Sequence, residues 1–332
     1  MSARRKKGED GMSKWEIPPK GGHMDLPTGI YFQTMTGHQV KERLAANDLI
    51  IIPIGSTENH GENACPGEDT FLVTRIAEQV AKATGCTVAE PVWYGSHPFH
   101  HLGMPGTIVV PEEDLAAYLR AVIAGFWNAG FRKQLLLNGH GQDYVIPLAI
   151  HQFAKKYQVP AILVDVNWWF VIPEHIRDKA HGGPFETPFV HADECETSFS
   201  MALFPEMIDQ RYAQSTTPLR IFPEGHINKS GSAYDFPIDF WLQVGASAIE
   251  VVSTPEGVVG NAKLADPKKA LPGLNAIMDY LEKLITDILT MYPAGKLPPM
   301  EAMTMRRKED VEAVIKGPLN GGRHLYTLGY PT

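Results

Sequence analysis

Two carboxylates and an imidazole follow a short apolar run near the start of this sequence. The run at residues 49–54 reads LIIIPI, and Glu58, His60 and Asp69 come after it among small and turn-forming residues. Side chains two residues apart in an extended chain point to the same side, so Glu58 and His60 can share a ligand. Asp69 on its own is more typical of a helix N-terminus than of a ligand. The function of these side chains therefore depends on their partners elsewhere in the chain.

Two later stretches carry the same residue types. His140 lies in NGHG after the apolar run QLLL, and the glycines beside it allow the backbone to approach a ligand closely. HADECETS contains His191, Glu194 and Glu196, which by itself is typical of an acidic first helical turn. Together these residues are the ligand types that Zn²⁺ and Mn²⁺ accept, and a shared carboxylate can bridge two ions. Such a pair polarises a carbonyl and generates a metal-bound hydroxide, so the combination predicts metal-assisted hydrolysis.

The segments that carry these residues alternate between strand and helix patterns. Apolar runs predict strands at residues 49–54, 87–92, 134–137 and 161–166, and three- and four-residue spacing predicts helices at 69–84, 111–129 and 144–157. This alternation is typical of a mostly parallel sheet with helices on both faces. Ligands of such sheets bind at the carboxyl ends of the strands, which is where Glu58 and His140 fall. We predict an α/β fold in three layers, an αβα sandwich.

The composition excludes several classes of protein. The chain has 332 residues, of which 44% are hydrophobic, and a formal net charge of −8. With no basic cluster beyond residues 4–7, we expect no nucleic-acid partner. Since no apolar run reaches the length of a membrane span and no secretory signal is visible, we expect no membrane contact and a cytoplasmic location. Three cysteines without CxxC spacing predict reduced thiols. With nucleic acid and membrane excluded, a small molecule is the expected partner.

The two ends of the chain differ in composition from the rest. Residues 1–25 and 293–332 are rich in proline and charge, and no Ser/Gly linker divides the sequence between them. We predict a single hydrolase domain at residues 26–292, with a flexible N-terminal arm and a C-terminal extension.

Five motifs agree in order and spacing with a known family. They are GSTENHG, MPGTI at 104–108, NGHG at 138–141, HADECETS at 191–198 and GVVGNAKLADPKKA at 257–270. Over about residues 45–290 the chain resembles the creatininase (creatinine amidohydrolase) family. The resemblance implies an α/β fold, a homohexamer and two divalent metal ions per protomer, for which Zn²⁺ and Mn²⁺ are the first candidates and iron is a further one.

The resemblance also implies roles for individual residues. The metal ligands that match the family pattern are Glu58, His60, Asp69 and His140, with Asp69 as the bridge, and His191 matches a histidine that transfers a proton. Creatininase itself has a metal-binding glutamate at the position of Gln142. We therefore expect Glu194, or otherwise Glu196, to complete the second metal shell and to take part in catalysis.

Several residues are predicted to contact the substrate. Trp168 falls where creatininase has a tryptophan that covers the substrate. Thr187 stands where creatininase has a second aromatic residue. Creatinine is therefore not the expected substrate. Gly139 N–H could stabilise an oxyanion. His101 stands where many relatives have a histidine. Gln142 would suit a polar pocket that binds hydroxyl groups. His97 and His100, in the same loop as His101, are interpreted as structural or exposed groups.

Three functions are compatible with these patterns. The main hypothesis is hydrolysis of a C–N bond in a small cyclic amide or formamide, because the resemblance implies amide hydrolysis most directly. The alternative is ring opening of a cyclic polyol-derived diketone, in which attack on a carbonyl expels a carbon stabilised as an enolate. The third is an inactive scaffold of the same fold, which would predict loss of metal ligands.

Overall fold

The computed structural model describes residues 14–17, 28–97, 102–216 and 256–299. Their centre is a four-stranded parallel sheet in the order β2-β1-β3-β4. Its strands are β1 Leu49–Ile54, β2 Thr87–Val88, β3 Lys133–Asn138 and β4 Ile162–Asn167. Asn138 pairs with Ile54 on one side and with Asn167 on the other, so β1, β3 and β4 end at the same level.

Helices connect and cover these strands. They are α1 Gly37–Ala46, α2 Glu68–Thr84, α3 Glu112–Ala129, α4 Val145–Tyr157, α5 Trp168–Val171, α6 Pro173–Ile176, α7 Glu194–Leu203 and α8 Pro267–Met291. The helices predicted at 69–84, 111–129 and 144–157 agree with α2, α3 and α4 to within a residue or two. None of the helices in the described ranges has the length and apolarity needed to cross a bilayer.

Both faces of the sheet are apolar and covered. Alternate side chains of a strand point to opposite faces. Ile51 and Leu135 belong to a buried cluster that also contains residues of α2, α7 and α8, whereas Ile50 and Leu136 pack with α3 and α4. The prediction of a three-layer αβα sandwich is therefore confirmed.

The strand predicted at residues 87–92 is shorter than expected. Its ladder with β1 covers Thr87 and Val88, and after Pro91 only an isolated bridge joins Val92 to Ile54. Proline has no N–H to donate to a ladder, which explains why regular pairing does not extend through this segment. The chain nevertheless runs beside β1 as far as the end of that strand.

Helix α8 was not predicted, although it is the longest helix described. Pro267 occupies its first turn, and the Asp266 side chain accepts a hydrogen bond from the backbone of Lys268. Its buried residues include Ala270, Leu274, Ile277, Leu281 and Ile285. They lie three or four positions apart, so the helical pattern was present in the sequence.

Parts of both terminal segments contact the domain. Trp15 is only 7% exposed, and its indole N–H donates to Asp279 of α8 at 3.3 Å. Near the other end, the buried Lys133 ammonium binds Asp48 and lies 3.3 Å from the carbonyl oxygen of Pro293. The described residues of the predicted arm and extension are therefore attached to the surface of the domain.

Candidate metal centre

The carboxyl ends of β1 and β3 lie side by side, and the turns that follow them carry the polar residues. Ile54 pairs with Asn138, so the segments GSTENHG and NGHG leave the sheet at the same level. Gly139 allows the second segment to contact α2, because a Cβ atom there would lie 2.4 Å from the carbonyl oxygen of Asp69. The first turn of α2 therefore brings Asp69 to the turn that carries His140.

Buried carboxylates and imidazoles form a continuous cluster at this edge of the sheet. His140 Nδ1 lies 2.9 Å from Glu58 Oε2 and 3.0 Å from Asp69 Oδ2. Asp69 Oδ1 lies 3.4 Å from His60 Nε2, and that nitrogen lies 3.8 Å from Glu196 Oε2. Asp69 thus contacts one imidazole with each of its oxygens. We call these residues the carboxylate–imidazole cluster.

Backbone carbonyls determine which ring nitrogens face the carboxylates as acceptors. His140 Nε2 lies 3.0 Å from the Ser96 carbonyl oxygen, and His60 Nδ1 lies 3.1 Å from that of Glu58. Since a carbonyl only accepts, these nitrogens carry the proton of the neutral ring. In the neutral rings, His140 Nδ1 and His60 Nε2 direct lone pairs at carboxylate oxygens, so either a proton or a metal cation must lie between them. The donor set therefore fits divalent cations of the Zn²⁺ or Mn²⁺ type.

The electrostatics of the cluster also favour a bound cation. Burial alone would lower the pKa of His140, but Glu58 and Asp69 outweigh it and raise the pKa to about 10. Burial would also lower the pKa of His60, but nearby carboxylates including Asp69 raise it well above its usual value. Burial would raise the pKa of Asp69, yet the two imidazoles lower it. The site thus stabilises positive charge among its carboxylates, which a bound cation would supply.

The structure gives the Glu194 carboxylate partners that lie outside the carboxylate–imidazole cluster. Its Oε2 accepts hydrogen bonds from the backbone N–H groups of Glu186 at 2.8 Å and Thr187 at 3.0 Å, and its Oε1 pairs with Lys269. Residues two positions apart on a helix do not face the same side. Glu194 therefore points away from the cluster, and Glu196 is the acidic residue of α7 that faces His60.

His191 lies beside the cluster. Its ring centroid is 4.7 Å from that of His60, its Nε2 lies 2.8 Å from the Asn59 carbonyl oxygen and its Nδ1 lies 3.9 Å from Glu196 Oε2. The next residue, Ala192, has a φ of 49°, and its N–H donates to Glu196 Oε2 at 2.5 Å. This left-handed turn, which is unusual for alanine, brings the histidine and the glutamate to the same side.

Two predicted substrate contacts have other roles in the structure. Trp168 is fully buried in the core, with ring centroids of Phe199 at 4.8 Å and Phe189 at 5.7 Å, so it does not cover the site. The Gly139 N–H donates to the Ile54 carbonyl at 2.8 Å and is not directed at an oxyanion. In both cases packing between segments determined the role. His101 lies outside the described residues.

Gln142 and His97 both differ from the roles expected for them. Gln142 is fully buried, its Oε1 accepts from Ser96 N–H at 2.9 Å and its Nε2 donates to the Gly55 carbonyl at 2.9 Å. Its amide therefore joins the backbone of two segments. The sequence indicates a structural or exposed role for His97, yet its Nδ1 lies 3.6 Å from Glu58 Oε1. Its place after the run at 87–92, at the same edge of the sheet, was the signal that could have identified it.

Comparisons with known proteins identify the family of this chain. The family model described as Creatinine amidohydrolase matches residues 33–285. The chain is 61% identical over 307 residues to the 3-dehydro-scyllo-inosose hydrolase of Thermotoga maritima, which covers 92% of this chain and 99% of that protein. The chain belongs to the creatininase family. Family membership and the carboxylate–imidazole cluster make it a metal-dependent hydrolase, so the scaffold hypothesis is not supported.

More distant members of the family share the fold. The chain is 25% identical over 196 residues to the creatinine amidohydrolase of Pseudomonas putida, which covers 55% of this chain and 75% of that protein. A creatininase structure described as the Mn form has a TM-score of 0.61 at 21% identity, covering 80% of this chain and 99% of that chain. A creatininase variant described as the Zn–Zn type has a TM-score of 0.61 at 21% identity, covering 79% of this chain and 98% of that chain.

Proposed function

We propose that this protein hydrolyses a carbon–carbon bond in a cyclic polyol-derived diketone of the 3-dehydro-scyllo-inosose type. The observation that carries the proposal is the 61% identity over 92% of the chain to a hydrolase named for that substrate. This identity favours ring opening of a diketone over hydrolysis of a cyclic amide or formamide. The relative named for amide hydrolysis, the creatinine amidohydrolase of Pseudomonas putida, is only 25% identical to this chain.

The chemistry of such a substrate sets requirements for the site. Water adds to one carbonyl carbon, and the bond from that carbon to its ring neighbour breaks with its electron pair. A second carbonyl next to the departing carbon accepts the pair as an enolate. One proton then returns to the enolate carbon, so the ring opens to a keto acid with the net addition of one water. The site must polarise a carbonyl, activate water and move a proton.

The carboxylate–imidazole cluster offers ligands for two cations. We assign Glu58 and His140 to one ion and His60 and Glu196 to the other, with Asp69 shared, because Asp69 contacts one imidazole with each oxygen. When bound, divalent ions polarise a carbonyl oxygen and lower the pKa of a coordinated water. The creatininase structures described as Mn and Zn–Zn forms support these two metals as the first candidates.

We assign the proton transfer to His191. Since the Asn59 carbonyl accepts from Nε2, Nδ1 is the nitrogen that takes up and releases a proton. Nδ1 faces Glu196, and the side chain is 12% exposed, against 0% for His60 and 6% for His140. His191 is thus the most accessible of these three imidazoles. It would take a proton from the attacking water and return it to the enolate carbon.

Three further features belong to the proposal. A substrate contact by His101 follows from its place in the sequence, and a homohexamer follows from the family resemblance. A cytoplasmic location follows from the composition.

The test is to incubate Mn²⁺- and Zn²⁺-loaded protein with cyclic polyol diketones, cyclic amides and formamides, and to analyse the products by mass spectrometry and ¹³C NMR. A diketone should gain one water and a new carboxylate. His191→Asn should slow this turnover by about 10²–10⁴-fold with near-wild-type metal content, whereas His38→Asn, at an exposed position, should not. Hydrolysis of an amide or formamide with every diketone unchanged would contradict the proposal.

A further inference from the structure

His97 lies against the carboxylate–imidazole cluster from a segment that contributes no other member to it. Its side chain is fully buried, and its Nδ1 lies 3.6 Å from Glu58 Oε1. Its ring centroid is 4.5 Å from that of His140. Glu58 thus directs one oxygen toward each of two imidazoles, Oε2 toward His140 and Oε1 toward His97. Such burial does not suit a direct contact with a substrate that enters from solvent.

The spacing of the three side chains matches that of ligands around one ion. Ligand atoms about 2.1 Å from a tetrahedral cation are separated from one another by roughly 3.4 Å. Glu58 Oε2 lies 2.9 Å from His140 Nδ1, and Glu58 Oε1 lies 3.6 Å from His97 Nδ1. One ligand atom of each of the three residues lies within 4.8 Å of the others. The three residues therefore form a group that could hold one metal ion.

Gln142 connects the two backbone segments that carry Glu58 and His97. Its amide oxygen accepts from the N–H of Ser96, the residue before His97, and its amide nitrogen donates to the carbonyl of Gly55. These contacts need one acceptor and one donor in the same side chain, which a glutamine supplies and a glutamate does not. The segment around Gly95 is closely packed, since a Cβ atom there would lie 2.7 Å from Gln142 Oε1.

We propose that His97 is a further metal ligand, which binds one cation together with Glu58 and His140, and that Gln142 is the positioning residue that holds His97 there. The inference rests on the metal site of the proposed function but not on its substrate. The proposal explains why a neutral amide occupies position 142. The Gln142 side chain holds the backbone next to His97, and His97 provides the metal ligand.

The test measures metal binding without substrate. Wild-type protein, His97→Ala and the exposed control His38→Ala are stripped with a chelator, dialysed and titrated with Mn²⁺ and Zn²⁺ against a competing indicator. We expect one of two sites in His97→Ala to lose at least about tenfold in affinity, with the other site and the control unchanged. Two sites of wild-type affinity in folded His97→Ala would overturn the proposal. Because no substrate is present, an error in the assigned diketone chemistry cannot affect this result.

A double-mutant cycle tests the positioning role of Gln142. Gln142→Ala should weaken the same site, and His97→Ala/Gln142→Ala should bind no more weakly than His97→Ala alone. Additive losses would show that Gln142 does not act through His97. If His97→Ala fails to fold, electron spin-echo spectra of Mn²⁺ bound to wild-type protein decide the ligand assignment. Two coordinated imidazoles at one site would support it, and one at each site would overturn it.

Discussion

Among single residues, Asp69 contacts one imidazole of the carboxylate–imidazole cluster with each of its two carboxylate oxygens. Its Oδ2 lies 3.0 Å from His140 Nδ1 and accepts a hydrogen bond from Ser56 Oγ at 2.6 Å, and its Oδ1 lies 3.4 Å from His60 Nε2. It also lies in the first turn of α2, where the helix dipole favours a negative charge. These contacts keep the carboxylate ionised and oriented.

Asp69→Asn tests whether both of the proposed metal positions depend on this charge. The amide keeps the size of the side chain but removes the negative charge shared between the two imidazoles. We expect binding of both ions to weaken by at least about 10–100-fold, measured as metal content after dialysis. Asp209→Asn, at a carboxylate that pairs with the exposed Arg211, is the matched control. Wild-type metal content in Asp69→Asn would exclude the bridging role.

Glu194→Gln and Glu196→Gln should separate stability from metal binding. Glu194 binds two backbone N–H groups and the partly buried Lys269, so its change to Gln should lower the free energy of unfolding by about 1–3 kcal/mol. Its metal content should remain unchanged. Glu196→Gln should lose one ion, because Glu196 faces His60. Chemical denaturation and metal analysis of both variants provide the check, and the reverse pattern would restore Glu194 as the ligand.

Among the elements, α8 supports the site without contributing to it. Its buried face, which includes Leu274 and Leu281, belongs to the same apolar cluster as residues of α2 and α7. Those two helices carry Asp69 and Glu196. The packing of α8 therefore stabilises the elements that position the cluster, although no described residue of α8 is a member of it.

Leu281→Ala tests this indirect role. Leu281 is fully buried, and its truncation should lower the free energy of unfolding by about 2–5 kcal/mol. Below the unfolding transition the protein should still bind its metals with near-wild-type affinity. Tyr280→Ala, at a neighbouring position that is 42% exposed, should change stability by less than about 1 kcal/mol. Urea denaturation followed by circular dichroism measures both variants, and equal stabilities would disprove the packing role.

For the whole molecule, stability and metal binding are linked through the protons of the cluster. The pKa of His140 is raised to about 10 in the folded protein, whereas an unfolded histidine titrates near 6.5. A raised pKa contributes stability that is fully present below about pH 6.5 and is lost as the pH rises toward 10. A cation requires the unprotonated nitrogen, so it binds more tightly as the pH increases.

The stabilisation that metal provides should therefore grow with pH. We expect the difference in Tm between Mn²⁺-loaded and chelator-treated protein to increase steadily from pH 6.5 to 8.5, because the metal-free protein loses stability over this range. Thermal unfolding at several pH values in matched buffers measures the difference. Asp69→Asn should reduce it at every pH. A difference independent of pH would indicate that the imidazoles are not protonated in the metal-free state.

Local sequence patterns were sufficient to predict the layers of the fold and the members of the site that follow strand ends. The helices α2, α3 and α4 were predicted because the spacing of apolar residues is a local property of the chain. Glu58 and His140 were expected together because parallel strands end at one edge of a sheet, and the structure brings them to 2.9 Å. Local pattern and known sheet geometry were sufficient for these features.

The use of the remaining side chains depends on tertiary packing. It turned Glu196 toward His60 and Glu194 toward Lys269, buried Trp168 in the core and brought His97 to Glu58. These outcomes depend on the direction of each side chain and on packing between segments far apart in sequence. Because periodicity reports only which positions are apolar, it cannot determine which of two nearby polar side chains faces a site.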